Sequence, residues 1–310
     1  MSAAQASTGR LSGPSHAFVM AHLLGCAIGW GCQFLIIKLL QGDVAPQIVA
    51  SVRAMVAALA LGIVVLVLRQ SILPRGREWR DWLILGTTNG WIANILVVYA
   101  LARMDSGPAA LIQASGPLLT ACLAHLFLPG ERLSALKSVG ILIGFAGVLF
   151  LIGPGLLEGG GTLIGVLAML GVTLGYASGN IYARIVPQAE PLRLAFGQQI
   201  VSGLAATLIS LMVVGPAGYA PVLSHGPALL VLGLLCSAMP IWLFMRLITA
   251  AGATRASMTG YLIPTVAVIL GIVILQEPLV PRQILGGAIV LIGVAIVTGL
   301  LRWPVRREAA

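Results

Sequence analysis

Residues 117–147 read PLLTACLAHLFLPGERLSALKSVGILIGFAG, and residues 264–293 read PTVAVILGIVILQEPLVPRQILGGAIVLIG. Each stretch is a proline-bearing apolar run, an acidic turn, and a second apolar run marked by glycines. Pro117 falls on Pro264 at a shift of 147 residues. Glu131 falls on Glu277, Gly140 on Gly286 and Gly147 on Gly293 at a shift of 146. The same shift puts Trp30 on Tyr176 and Lys38 on Arg184. Residues 18–153 and 162–303 therefore read as two versions of one unit, flanked by tails at 1–17 and 304–310.

Each version is too apolar for water. The chain is 59% hydrophobic and 9% charged, where a soluble domain has about a quarter of its residues charged. Mean hydropathy is +1.03. Apolar runs fall at approximately 18–40, 46–68, 82–103, 107–128, 136–153, 161–183, 192–214, 226–249, 256–275 and 283–303. Runs of about 20 residues match a hydrocarbon core of about 30 Å. Lipid leaves no partner for free backbone groups, so these runs are helices, and their length argues against barrel strands. The fold class is all-α integral membrane with ten transmembrane helices. Five helices per repeat is an odd number, so the second copy lies inverted relative to the first. Inverted repeats suit alternating access around a midplane site. Connections are short except at 69–81 and 153–161.

Lys and Arg fix the expected orientation. With the N-terminus in the cytoplasm, 14 of the 18 fall inside: Arg10, Arg69, Arg75, Arg77, Arg80, Arg132, Lys137, Arg184, Arg193, Arg246, Arg255, Arg302, Arg306 and Arg307. Lys38, Arg103 and Arg282 fall outside, and both termini are cytoplasmic by the positive-inside rule. Trp79, Trp82 and Trp303 lie at inner boundaries, where indoles favour the interface. The pI near 10 is thereby explained by scattered loop cations, without nucleic acid as a partner. Arg10 precedes the first span with no convincing cleavage site, so that span is expected to remain. Cys26, Cys32, Cys122 and Cys236 lie in apolar runs without a CxxC pair or a nearby His at ligand spacing. They read as packed thiols, and no metal or cofactor is expected.

The stretch Trp30-Gly31-Cys32-Gln33-Phe34-Leu35-Ile36-Ile37-Lys38 resembles the first-helix signature of EamA-type proteins in the drug/metabolite transporter superfamily. The paired stretches that begin at Pro117 and Pro264 resemble the same family. The resemblance covers nearly the whole chain. It implies a ten-helix carrier of the bacterial inner membrane, commonly an exporter of amino acids, related metabolites or drugs. It also implies a cavity lined by helices one, three, four, six, eight and nine. Tyr176 stands where the first copy has Trp30, and Gln199 where it has Arg53.

The polar residues of the spans are the candidates for function. Asn and Gln in a bilayer need partners, which a wet cavity, a substrate or a neighbouring helix can supply. The substrate-cavity candidates are Trp30, Gln33, Trp91, Asn94, Tyr99, Gln113, Ser115, Tyr176, Ser178, Asn180, Trp242 and Tyr261. Arg53 reads as the one intramembrane charge, about seven residues or roughly 10 Å below the outer boundary of its helix. It either bonds neighbouring carbonyls or snorkels outward, the structural reading, or it meets a substrate carboxylate or contributes to the outer gate. The position resembles an arginine common in the family irrespective of substrate. No carboxylate lies inside any span, which argues against a buried-acid proton antiporter. Glu131 and Glu277 read as turn carboxylates that cap the following helix or pair locally with Arg132 or Arg282. His22 and His125 read as neutral rings on carbonyls, and as the remaining candidates for proton coupling. Pro117 and Pro264 are kink or gating candidates. Gly140, Gly144 and Gly147 read as close helix contacts.

The expectation is therefore a carrier, exporter or exchanger of small polar metabolites through a neutral cavity, acting as a monomer and not as an enzyme. The alternative is a lipid or lipid-precursor flippase, or a membrane-embedded lipid enzyme. A channel is disfavoured because no charged pore ring is visible.

Overall fold

A computed structural model describes residues 14–153, 160–185, 190–251, 253–278 and 280–301. Arg10, Arg302, Trp303, Arg306 and Arg307 lie outside these residues. The described residues are helical throughout and contain no strand. The principal helices are α1 (His16–Leu39), α2 (Pro46–Val67), α3 (Glu78–Leu101), α4 (Ser106–Phe127) and α5 (Ala135–Ile152). They continue with α6 (Gly160–Ile185), α7 (Pro191–Val213), α8 (226–251), α9 (Thr259–Val273) and α10 (Pro281–Val297). Eight are long and apolar enough to cross a membrane, while α9 and α10 are shorter and equally apolar. Leu59, Leu126, Leu142, Leu149 and Met212 are each about 70% exposed, an outer surface suited to hydrocarbon and not to water.

The helices pair across the two halves. α2 packs against α7 and α5 against α10. α1 lies against α8 and α9, and α6 lies against α3 and α4. The α5–α10 crossing requires the glycines that recur in the sequence. A Cβ at Gly147 would stand 2.6 Å from Val290 N, and one at Gly293 would stand 2.6 Å from Gly140 O. Backbone here touches backbone, so any larger residue would push the two helices apart.

Two helices that the sequence predicts as uniform α are interrupted. α3 carries a π segment at Gly86–Trp91, with Gly90 in a non-helical conformation. α8 carries one at Leu234–Ala238. The two lie at nearly the same repeat position, and in α8 Ser237 Oγ donates to Leu232 O at 2.9 Å, five residues back.

The proline pair is also unequal. α4 is two segments, Ser106–Gln113 and Gly116–Phe127, and Pro117 opens the second one. Pro117 cannot donate to the carbonyl of Gln113 four residues back, and the break at 114–115 falls in that turn. Ser115 Oγ donates to Ile112 O at 2.7 Å across this break. Pro264, in contrast, lies inside α9.

Arg53 is not alone as a buried charge. Arg193 is 4% exposed and Asp81 7%. Arg193 holds Glu78 and the carbonyls of Ser71 and Leu73, so the long 69–81 connection folds back over it. Asp81 accepts from Tyr182 Oη at 2.7 Å. Hydropathy places Asp81 in the 69–81 connection and Arg193 at the very start of the 192–214 run, and packing of the connection against helix ends buries both.

Candidate functional site

α4, α6, α9 and the end of α10 enclose a cavity of about 400 Å3. Its walls carry Gln113, Pro117 and Thr120 from α4, Tyr176 and Asn180 from α6, and Pro264 from α9. Ser257 and Thr298 add hydroxyls, and Thr298 Oγ1 lies 2.9 Å from Tyr261 Oη. Gln113 Oε1 is buried without a partner, so a polar guest or water is needed to satisfy it. The mouth carries Glu131, Lys137 and Arg184. Arg184 Nη1 meets Glu131 Oε1 at 3.0 Å, with both side chains about half exposed.

Helix geometry explains the composition of the wall. The break in α4 at 114–115 releases backbone groups beside Gln113, where a continuous helix would have consumed them. Tyr176 and Asn180 stand four residues apart in α6, so they share one face.

Of the sequence candidates, Gln113, Tyr176, Asn180, Pro117 and Pro264 line this cavity. Trp30, Gln33, Arg53, Trp91, Asn94, Tyr99, Ser115, Ser178, Trp242 and Tyr261 do not. Trp30 packs edge-on against Phe244, Trp242 lies under Arg246, and Tyr99 lies under Arg103. Asn94 Nδ2 donates to Ser202 Oγ at 3.3 Å. Trp30 and Asn94 thus meet neighbouring helices, while Trp242 and Tyr99 each meet the arginine one turn on in their own segment.

Gln33 and Arg53 form a separate cluster with Ser237 of the α8 π segment. Arg53 Nε and Nη2 donate to Ser237 Oγ at 3.2 and 2.9 Å, and Nη2 donates to Gln33 Oε1 at 3.1 Å. Gln33 is carried by α1 and Arg53 by α2, so the cluster ties α1, α2 and α8 together outside the wall of the cavity. Sequence reading missed Ser237 because an isolated Ser in an apolar run carries no signal, and the π segment that positions it is a backbone feature.

The opposite end of the bundle is tied by Glu277. Its carboxylate accepts from Ser106 N at 3.0 Å through either oxygen, and from Ser106 Oγ at 2.6 Å. It therefore caps α4 across the bundle, not the helix that follows it. Glu131 likewise pairs with α6 and not with its neighbour Arg132. A Cβ on Gly271 would stand 2.6 Å from both Glu277 Oε2 and Ser106 Oγ, so glycine is required beneath the contact. Asp105 adjoins this contact. Burial and the nearby Glu277 push its carboxyl up, and Lys38 draws it partly back. Beside them, α4, α9 and α10 leave a second, mainly apolar crevice of about 330 Å3, rimmed by Asp105, Glu277 and Gln283. His22 Nδ1 lies 2.8 Å from Phe18 O, and His125 Nδ1 lies 3.4 Å from Glu131 O, both away from the cavity wall.

A bundle of apolar helices around a cavity that carries polar side chains is a polytopic membrane protein of the transporter class. The model of the EamA-like transporter family matches residues 17–153 and again 163–299, and the chain belongs to that family, within the drug/metabolite transporter superfamily. It is 28% identical over 282 residues to the uncharacterized inner membrane transporter YedA of Escherichia coli (strain K12), covering 89% of each chain. It is 20% identical to the uncharacterized transporter YoaV of Bacillus subtilis (strain 168), covering 89% of this chain and 95% of that one. Protein PecM of Dickeya dadantii (strain 3937) is 24% identical, over 90% of this chain and 92% of its own. A crystal structure with 18% identity superposes with a TM-score of 0.66 over 92% of this chain and 98% of its own, a likeness of fold.

Proposed function

We infer that this chain is an alternating-access carrier of small polar organic metabolites, with amino acids as the first class, working as an exporter or exchanger in the bacterial inner membrane. The observation that carries this reading is the cavity of about 400 Å3 between helices of the two repeats. It runs from Glu131 and Arg184 to Tyr176 and Gln113. At the repeat-equivalent place on the other end, Glu277 is bonded to Ser106. We read the Glu131 end as open and the Glu277 end as shut, as alternating access demands of any single state.

The supporting arrangement is two five-helix repeats, 18–153 and 162–303, inverted about an axis in the membrane. The exchange of partners between halves is what such an axis would produce: α2 with α7, α5 with α10, and α1 on α8 and α9 against α6 on α3 and α4. The excess of Lys and Arg assigns the Glu131 end to the cytoplasm, so the state is inward-open. In the opposite state Glu277 would release Ser106, and the Glu131 end would close. Binding is attributed to Gln113, Tyr176 and Asn180, with Pro264 in α9 as the hinge beside them. Trans-loaded substrate should accelerate uptake into proteoliposomes, since a carrier must return its site and a pore need not. Failure of counterflow across amino acids, nucleosides and amines would overturn this reading.

A further inference from the structure

We propose that the crevice between α4, α9 and α10 holds one phospholipid with a primary ammonium headgroup, its acyl chain between the helices and its ammonium on Asp105. The lipid is a resident of the fold and not the solute, so this goes beyond the carrier reading and does not depend on it. The crevice measures about 330 Å3 and is separate from the polar cavity, with Pro264 of α9 bordering both. Leu111, Val268, Ile272 and Leu291 line its length. Ile269 and Ile284 also line it, and each is about half exposed, so the crevice opens onto the outer surface of the bundle.

That surface faces hydrocarbon. Water in such a gap finds too few polar partners, and an empty gap forfeits dispersion contacts on both walls. An acyl chain restores those contacts, and the bilayer supplies it. The headgroup follows from the charge at one end. Asp105 precedes the first turn of α4, caps none of its N–H groups, and joins no ion pair among the described residues. Glu277 takes up that cap instead, through Ser106 N and Oγ. Both carboxylates line the crevice, and among the described residues no Lys or Arg does. Burial and Glu277 push the Asp105 carboxyl up against the pull of Lys38, and an ammonium at the rim would relieve both.

A primary ammonium matches this rim where other headgroups do not. It brings a positive charge and three N–H donors, which make charge-assisted bonds to carboxylate. A choline has the charge without an N–H. A glycerol headgroup leaves the lipid anionic, and the two carboxylates repel it. Gln283, on the same rim, has an amide N–H to offer the lipid phosphate.

The test is native mass spectrometry of the purified full-length chain in mixed micelles. Phosphatidylethanolamine, phosphatidylcholine and phosphatidylglycerol with identical acyl chains are offered in equal amounts. Phosphatidylethanolamine is expected to be retained roughly tenfold over phosphatidylglycerol, the worth of one charge-assisted hydrogen bond, with phosphatidylcholine between them. Asp105→Asn should remove most of that preference. Ala288→Trp should remove the retained lipid whatever its headgroup. Ala288 lines the crevice and is exposed, so an indole there fills the gap without entering the core. Equal retention of the three lipids by the wild-type protein overturns the headgroup assignment, and undiminished retention by Ala288→Trp overturns the site. Both of those measurements stand even if Asp105→Asn does not fold. Neither bears on counterflow, so the carrier reading is tested separately.

Discussion

Glu131 and Glu277 occupy the same place in two copies of one unit, and they do different things. Glu131 stands in water at a cavity mouth, in a half-exposed pair with Arg184. Glu277 is partly buried and accepts from a backbone N–H and a hydroxyl of Ser106. The residue before each adopts a left-handed conformation, Gly130 at φ 86° and Gln276 at φ 55°, so the two turns are alike and the partners differ. The turn recurs with the repeat, while the bond it makes does not. An exposed ion pair contributes less than about 1 kcal/mol, whereas a bond from a buried donor to a charged acceptor contributes about 1.5–3 kcal/mol. The shut end is thus the more firmly held of the two.

The largest expected effect comes from Glu277→Gln, which removes the charge from the contact at Ser106. The shut end should open in roughly 10- to 100-fold more of the molecules. The readout is alkylation of Cys32 by a membrane-impermeant maleimide added outside, with the other three cysteines replaced by Ala. Unchanged labelling would show that Glu277 does not hold that end. Gly271→Ala should act in the same direction by about 1–3 kcal/mol, because its Cβ would crowd the carboxylate and hydroxyl together. The equivalent first-half residue is already an alanine, Ala124, which lines the open cavity, so Ala124→Gly should leave Cys32 labelling nearly unchanged.

Gln276→Gly should stabilise the fold by about 1 kcal/mol by relieving the left-handed conformation, read as a higher midpoint in detergent melting. Gly130→Gln should cost a similar amount, which would confirm that the turns are equivalent. The pH response follows from Asp105. Its carboxyl is pushed up by burial and by Glu277, against Lys38, so the shut state holds a proton more tightly than a hydrated, opened one. Acidification should therefore favour the shut end and slow Cys32 labelling, and Asp105→Asn should abolish that dependence. The smallest change is expected for Glu131→Gln, less than fivefold in any accessibility measure.

Much of this comparison was legible in the sequence. The ten apolar segments and the close approach at Gly140, Gly144 and Gly147 follow from run lengths and recurring residues, whereas α10 as the partner of α5 does not. The partners of the two glutamates did not, because Ser106 and Arg184 are 171 and 53 residues away in sequence and no local pattern encodes either contact. The cavity was partly legible. Gln113, Tyr176 and Asn180 were found because polar groups in a bilayer need a reason. Trp30 and Asn94 satisfied the same criterion while facing other helices. The π segments of α3 and α8 were not read from the sequence: Gly86–Trp91 is GTTNGW and Leu234–Ala238 is LLCSA, and the two share no residue pattern. They decide where Ser237 meets Arg53.

The most direct test of alternation is to measure both ends of one molecule. Spin labels at Gln41→Cys and Pro278→Cys report on the Glu277 end, and labels at Arg132→Cys and Arg255→Cys report on the Glu131 end. The expected result is reciprocal: under Glu277→Gln or a transported solute, the first distance lengthens as the second shortens. If both distances lengthen together, or the second stays fixed while the first opens, the two ends do not alternate and the carrier account is contradicted.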